Sequence, residues 1–104
     1  MDPARPVERL FIYGSLRCPA CQERVFGRSA PMTPATLAGW GRAKVRLGKG
    51  LYPIIHRRAG RTVKGYLIDV TPLELAKLDN YEGDAYQRSR VRLTNGEETW
   101  VYHG

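Results

Sequence analysis

Long apolar runs are missing from this sequence of 104 residues, so nothing in it is expected to cross a bilayer. The opening residues, Met1-Asp2-Pro3-Ala4-Arg5-Pro6, lack the apolar core of a signal peptide, and a cytoplasmic location is expected. Metal-binding side chains are scarce. Beyond Cys18 and Cys21 only His56 and His103 remain as imidazole ligands, which leaves a zinc site incomplete, and no metal is expected. Acidic residues are absent from the middle of the chain: eight basic residues and no acidic one lie between Arg42 and Lys64. Repeats, low-complexity stretches and internal linkers are missing too. The expectation is one domain over 8–104 behind a loose tail at 1–7.

What is present is ordinary for a globular protein, with 42% hydrophobic and 26% charged residues. A chain of this length can withdraw roughly 60–70% of its unfolded surface from water. The net charge is +7, from 17 Lys and Arg against 10 Asp and Glu. A basic excess can mark a nucleic-acid footprint or a solvated face that attracts anions. No zinc-finger spacing, helix-turn-helix pattern or aromatic RNA-binding signature accompanies it, so specific nucleic-acid binding is not expected.

Periodicity outlines the elements. Residues 8–13 read as a strand, stopped by Gly14. A short helix is expected over 22–27. The segment 36–47 alternates, with Ala43, Val45 and Leu47 on one face and Arg42, Lys44 and Arg46 on the other, which accounts for much of the basic stretch without a partner. A turn at Ala59-Gly60 is expected before a further strand, Thr62 to Val70. Thr71, Pro72 and Glu74 form a capping box, predicting a helix that buries Leu75 and Leu78 and ends near Asn80. Asn95-Gly96 suits a tight hairpin turn between Gln87–Leu93 and Glu97–Tyr102. Trp40 and Trp100 are expected to pack in the sheet, His56 at a surface strand end, and penultimate His103 in a frayed end. The fold class is α+β, with a mixed, curved sheet and two or three short helices.

Two segments carry candidate chemistry. Tyr13-Gly14-Ser15-Leu16 closes the first strand, where glycine lets successive N–H groups face one concavity that accepts a carboxylate or phosphate. Ser15 adds a hydroxyl. The alternative is a plain turn. Leu78-Asp79-Asn80-Tyr81-Glu82-Gly83 places Glu82 where helix gives way to strand, beside Tyr81, Tyr86 and Arg88. Such a carboxylate can shuttle protons if partial burial raises its pKa; the alternative is a solvated surface acid. Asp79 is expected on the helix surface and Asp84 in the loop.

Five segments in order resemble the γ-glutamylcyclotransferase-like superfamily: Leu10 to Leu16, Gly50-x-Tyr52-Pro53, Val63-x-Gly65-x-Leu67, Leu78 to Arg88, and Tyr102. The small γ-glutamylamine cyclotransferase and avirulence-induced-gene-like branch is the most similar. The resemblance implies a mixed sheet closing into a small β-barrel with flanking helices. It also implies a pocket in which Glu82 is catalytic and Tyr13, Gly14, Ser15, Leu16, Tyr52, Tyr86 and Arg88 bind substrate. For Tyr52, core packing is the alternative. The implied reaction turns a γ-glutamyl amine or peptide into 5-oxoproline and a free amine. The α-amine, with an ordinary pKa of about 8, must lose a proton before it attacks, and Glu82 would take it. No metal or organic cofactor is required. With the last strand ending so near Gly104, a segment by which longer relatives cover the site is expected to be missing.

The sequence departs from the family at Cys18-Pro19-Ala20-Cys21, where relatives tend to carry arginine and glycine. A Cys-x-x-Cys before a helix also resembles the redox site of glutaredoxin-like proteins. A thiol–disulfide oxidoreductase using Cys18 and Cys21 is therefore the alternative enzyme. A pocket kept for small-molecule or nucleic-acid binding without catalysis is the third reading.

Overall fold

The computed structural model describes residues 7–104, so all but Val7 of the expected tail lies outside the described residues. Strand β1 (Glu8–Ile12) leads through a 3-10 turn (Ser15–Arg17) to helix α1 (Pro19–Phe26). Two long strands follow, β2 (Thr33–Leu47) and β3 (Gly50–Val70), then helix α2 (Pro72–Glu82), a 3-10 turn (Gly83–Ala85), and the hairpin of β4 (Gln87–Arg92) and β5 (Glu98–His103). One five-stranded sheet results, in the order β2-β3-β1-β5-β4. β1 is antiparallel to β3 and parallel to β5, so the sheet is mixed. Among the described residues no helix is long and apolar enough to cross a membrane.

β1 is the middle strand, and its alternation feeds two apolar layers. Leu10 and Ile12 pack with Leu16, Phe26, Leu75 and Leu78 beneath the two helices. Phe11 and Tyr13 point the other way, to Leu37, Trp40, Ile55, Val63 and Val101 inside the curl of the sheet. Both faces of the strand are therefore withdrawn from water, as its near-continuous apolar run requires. Gly65 lets β3 approach it: a Cβ there would run into the Ile12 carbonyl and come within 2.8 Å of the Phe11 ring.

The sheet is a half-barrel, which corrects the expectation of a closed one. β2 and β4 stand at opposite ends of the strand order with no ladder between them. A single rung approaches closure, the Thr94 N–H donating to Thr36 O at 3.1 Å. β4 has six residues, and its exposed Arg90 and Arg92 pair with Glu98 of β5. A short, charged edge resists further pairing.

The turn expected at Ala59-Gly60 is also corrected. β3 runs through it, and Arg58 to Arg61 together face the single residue Gly39 of β2. Gly39 and Gly60 both have positive φ, at 85° and 81°. Both flanks stay paired with one partner strand, so the local turn signal is absorbed as a bulge instead of reversing the chain. α1 starts three residues earlier than expected, because Pro19 fits the first helical position and Cys18 caps it. His103 is not frayed. It is buried, its ring bonded to the Ser89 hydroxyl at 2.7 Å and lying 4.9 Å from the Trp40 ring.

Candidate active site

The capping box of α2 forms as expected, with Glu74 N–H donating to the Thr71 hydroxyl at 3.1 Å and Thr71 N–H to Glu74 at 2.9 Å. Arg28 grips Glu74 at 2.7 and 2.8 Å and ties the end of α1 to the start of α2. The helix runs beyond Asn80 to Glu82, where Gly83 at φ 70° ends it and donates its N–H to Asp79 O. Glu82 thus occupies the last helical turn instead of the loop after it. Leu75 and Leu78, both buried, fix the rotation of the helix.

That rotation brings Glu82 to a cavity of about 310 Å³ between the end of β1, the β2–β3 hairpin, α2 and β5. Tyr13, Gly14, Ser15 and Leu16 form one wall, and Tyr52, Pro53 and Leu47 enter from the hairpin. Tyr86 and Tyr102 close the remaining side. Glu82 is the single carboxylate of the lining, which contains no lysine, arginine or histidine. Burial without a compensating cation pushes its pKa up to about 7.

The loop wall suits an anion. Arg17 N–H bonds to Gly14 O at 3.1 Å and opens the 3-10 turn, so the N–H groups of Ser15 and Leu16 precede the first turn bond. Pro53 presses on Gly14, where a Cβ would lie 3.0 Å from its Cγ. Arg42 donates to Tyr13 O at 3.0 Å and Lys64 O at 2.8 Å, pinning the loop from outside the cavity. Lys44 and Arg46 remain exposed, in keeping with a solvated basic face.

The phenols are structural donors. Tyr13 donates to Tyr102 O at 2.6 Å and Tyr86 to Pro53 O at 2.7 Å. Burial raises the pKa of Tyr13, Tyr86 and Tyr102, and the Glu82 charge adds to the rise, so all three stay protonated. At the mouth, the Tyr81 and Ser15 hydroxyls are 3.4 Å apart and link the acid-bearing helix to the loop. Tyr52, half exposed, lines the rim and is not a core residue.

Of the site residues expected from sequence, only Arg88 is not in the cavity lining. Its guanidinium takes both oxygens of Asp79, at 2.8 and 3.0 Å, and lies 4.1 Å from the Trp100 ring centre. Asp79 is no idle surface acid, because it also accepts the Tyr102 hydroxyl at 2.7 Å. Asp84 lies exposed in the turn, as expected. Sequence pattern does not mark Arg42 or Asp79 as supports, because the Tyr13 and Lys64 carbonyls and the Tyr102 hydroxyl that they bond lie 29, 22 and 23 positions away. For Asp79 a signal was available, since it stands one helical turn before Glu82 and faces the same way. Among the described residues no group of three or more His, Cys, Asp or Glu is placed to hold a metal ion.

The family model described as gamma-glutamyl cyclotransferase, AIG2-like, matches residues 10–104. The chain belongs to this family. Protein AIG2 C of Arabidopsis thaliana is 37% identical over 102 residues, covering 89% of this chain and 60% of that protein. AIG2-like protein A of the same plant is 32% identical over 94 residues, covering 89% and 56%. The chain therefore spans under two thirds of the length of these AIG2-like relatives. The solution structure of an Arabidopsis thaliana protein superposes with a TM-score of 0.81 at 32% identity, over 98% of this chain and 63% of that one. A structure titled gamma-glutamyl cyclotransferase superposes at 0.77 and 19% identity, over 94% and 66%, a likeness of fold. The mixed sheet of this AIG2-like chain does not begin with a βαβ unit, since β2 is not beside β1, which removes the glutaredoxin-like fold.

Proposed function

We propose that this chain converts a γ-glutamyl amine or γ-glutamyl peptide into 5-oxoproline and a free amine. The observation that carries the reading is Glu82, a carboxyl with a pKa pushed to about 7 in a cavity lined by no cation, which it shares with the Tyr13–Leu16 loop whose Ser15 and Leu16 N–H groups precede the first 3-10 bond. Membership of the cyclotransferase family supports the reaction class.

In this reading the α-carboxylate sits at the N–H groups of Ser15 and Leu16, helped by the Ser15 hydroxyl. The α-ammonium then points to Glu82, which takes one proton. The freed nitrogen attacks the γ-carbonyl carbon and closes a five-membered ring. Glu82 returns its proton to the leaving nitrogen, the original C–N bond breaks, and the carboxylate is regenerated. The ring nitrogen gives up its second proton to the departing amine, which leaves as an ammonium ion. Attacking and leaving groups belong to one molecule, so much of the rate comes from restraint. The aromatic wall limits water, which would otherwise hydrolyse the amide to glutamate. Arg88 acts through Asp79 and Tyr102 in place of touching substrate.

The test is incubation of the purified chain with a panel of γ-glutamyl amines and γ-glutamyl dipeptides, followed by measurement of 5-oxoproline. Release from at least one compound is expected. No release from any, or release of glutamate instead, would sink the reading.

A further inference from the structure

Neither Cys18 nor Cys21 lines the Glu82 cavity, yet the fold brings the two thiols together at an accessible place. Cys18 is the N-cap of α1, and its Sγ accepts the Cys21 N–H at 3.4 Å. The neighbouring Cys21 thiol, the Cys21 and Ala20 N–H groups and the Arg24 charge lower the Cys18 pKa, while the neighbouring Cys18 sulfur raises that of Cys21. Cys18 is exposed and Cys21 half-buried, an arrangement of one attacking and one resolving thiol. Beside Cys18 runs a surface groove lined by Gly14, Ser15, Arg17, Met32 and Tyr66, with no acidic residue. Arg17 in the groove and Arg24 on the helix give the thiol a cationic approach.

We propose that Cys18 and Cys21 form a reversible dithiol–disulfide site that reacts with an anionic low-molecular-weight disulfide. The Cys18 thiolate attacks one sulfur of that disulfide, forms a mixed disulfide and expels the first thiolate. Cys21 gives its proton to solvent and attacks the Cys18 sulfur, and the second small thiolate leaves. Two protein thiols are oxidised to one disulfide, and one small disulfide is reduced to two thiols. The two partners are three residues apart at the start of a helix, on one face, so the bond forms without unfolding α1. The thiol chemistry stands independently of the cyclotransferase reading, because it needs neither Glu82 nor the far walls of the cavity; the groove and the cavity share only Gly14 and Ser15.

The experiment treats the full chain with oxidised glutathione, an anionic probe, and with neutral 2-hydroxyethyl disulfide, and follows intact mass and free thiols. The wild type should end as an intramolecular disulfide without an adduct. Cys21→Ser should hold one glutathione on Cys18. Cys18→Ser, which keeps a good N-cap and therefore the helix, should react at least about tenfold more slowly. The anionic probe should react faster than the neutral one at low salt, with the advantage shrinking as salt is added. A lasting adduct on the wild type, equal rates for the two serine variants, or no preference for the anionic probe would each overturn the proposal.

Discussion

Asp79 accepts the Tyr102 hydroxyl at 2.7 Å, joining the last turn of α2 to the final strand across 23 positions of sequence. Tyr102 in turn receives the Tyr13 hydroxyl on its carbonyl, at 2.6 Å. One chain of contacts therefore runs from the helix bearing Glu82, through β5, to the residue that opens the Tyr13–Leu16 loop. Arg88, clamped on Asp79 and stacked on Trp100, braces this chain from outside the cavity.

Replacing Glu82 by glutamine keeps the shape of the side chain and removes its ability to take a proton. 5-Oxoproline formation should fall by at least about a hundredfold, with an unchanged circular dichroism spectrum. A Glu82→Gln protein that keeps most of its turnover removes Glu82 from the mechanism.

The raised pKa of Glu82 sets two pH dependences. As a base it works ionised, so kcat/KM should fall about tenfold per pH unit below about 7. For stability the sign is opposite to that of a salt-bridged acid. The folded state holds the proton more tightly than the unfolded one, so ionisation opposes folding. That cost is absent below the unfolded pKa of about 4.5 and complete above about 7, where it reaches about 3 kcal/mol. Glu82→Gln should therefore be more stable than the wild type at pH 8 and equal to it at pH 4, by denaturant titration at both pH values.

Asp79→Ala leaves the Tyr102 hydroxyl and the Arg88 guanidinium without their acceptor. Because Asp79 and Arg88 are partly exposed, the expected stability loss is modest, about 1–2 kcal/mol. Turnover should fall by roughly tenfold through misplacement of Glu82, less than in Glu82→Gln. Steady-state kinetics and thermal unfolding of the two variants side by side decide this. Full activity in Asp79→Ala would show that the Tyr102 contact does not position the acid.

Gly65→Ala pushes a methyl group into the Ile12 carbonyl and the Phe11 ring. Main chain cannot yield as a flexible side chain can, and a loss of about 1–3 kcal/mol is expected from chemical denaturation. An unchanged midpoint would mean that β1 and β3 separate at no cost.

On the basic hairpin, Arg42 is occupied by two carbonyls while Lys44 and Arg46 face solvent. A few solvated charges give attraction that salt removes, so DNA or RNA binding should be negligible at about 150 mM salt. Tight, sequence-selective binding in a fluorescence titration at that salt would contradict this.

Local chemistry determined much of this protein. The Thr71-Pro72-x-Glu74 box started α2 as expected, because its bonds lie within one turn. The apolar run of β1 marked a buried strand, and Asn95-Gly96 marked the turn of the closing hairpin. Tyr13 to Leu16, Tyr52, Glu82 and Tyr86 stand out in the sequence through their ordered motifs, and one cavity is lined by all of them. Only tertiary structure decided the rest. Arg88 reads as a pocket cation beside Glu82, but the free energy of pairing with Asp79 and stacking on Trp100 holds it outside. Gly60 reads as a turn, but two paired flanks outweigh one flexible residue and make it a bulge. His103 reads as a loose end, yet Trp40 and Ser89, more than ten positions away, bury it. Whether the sheet closes depends on whether its two distant edges can pair. Sequence supplies the alternation of each strand, while pairing between edges depends on curvature accumulated over all five.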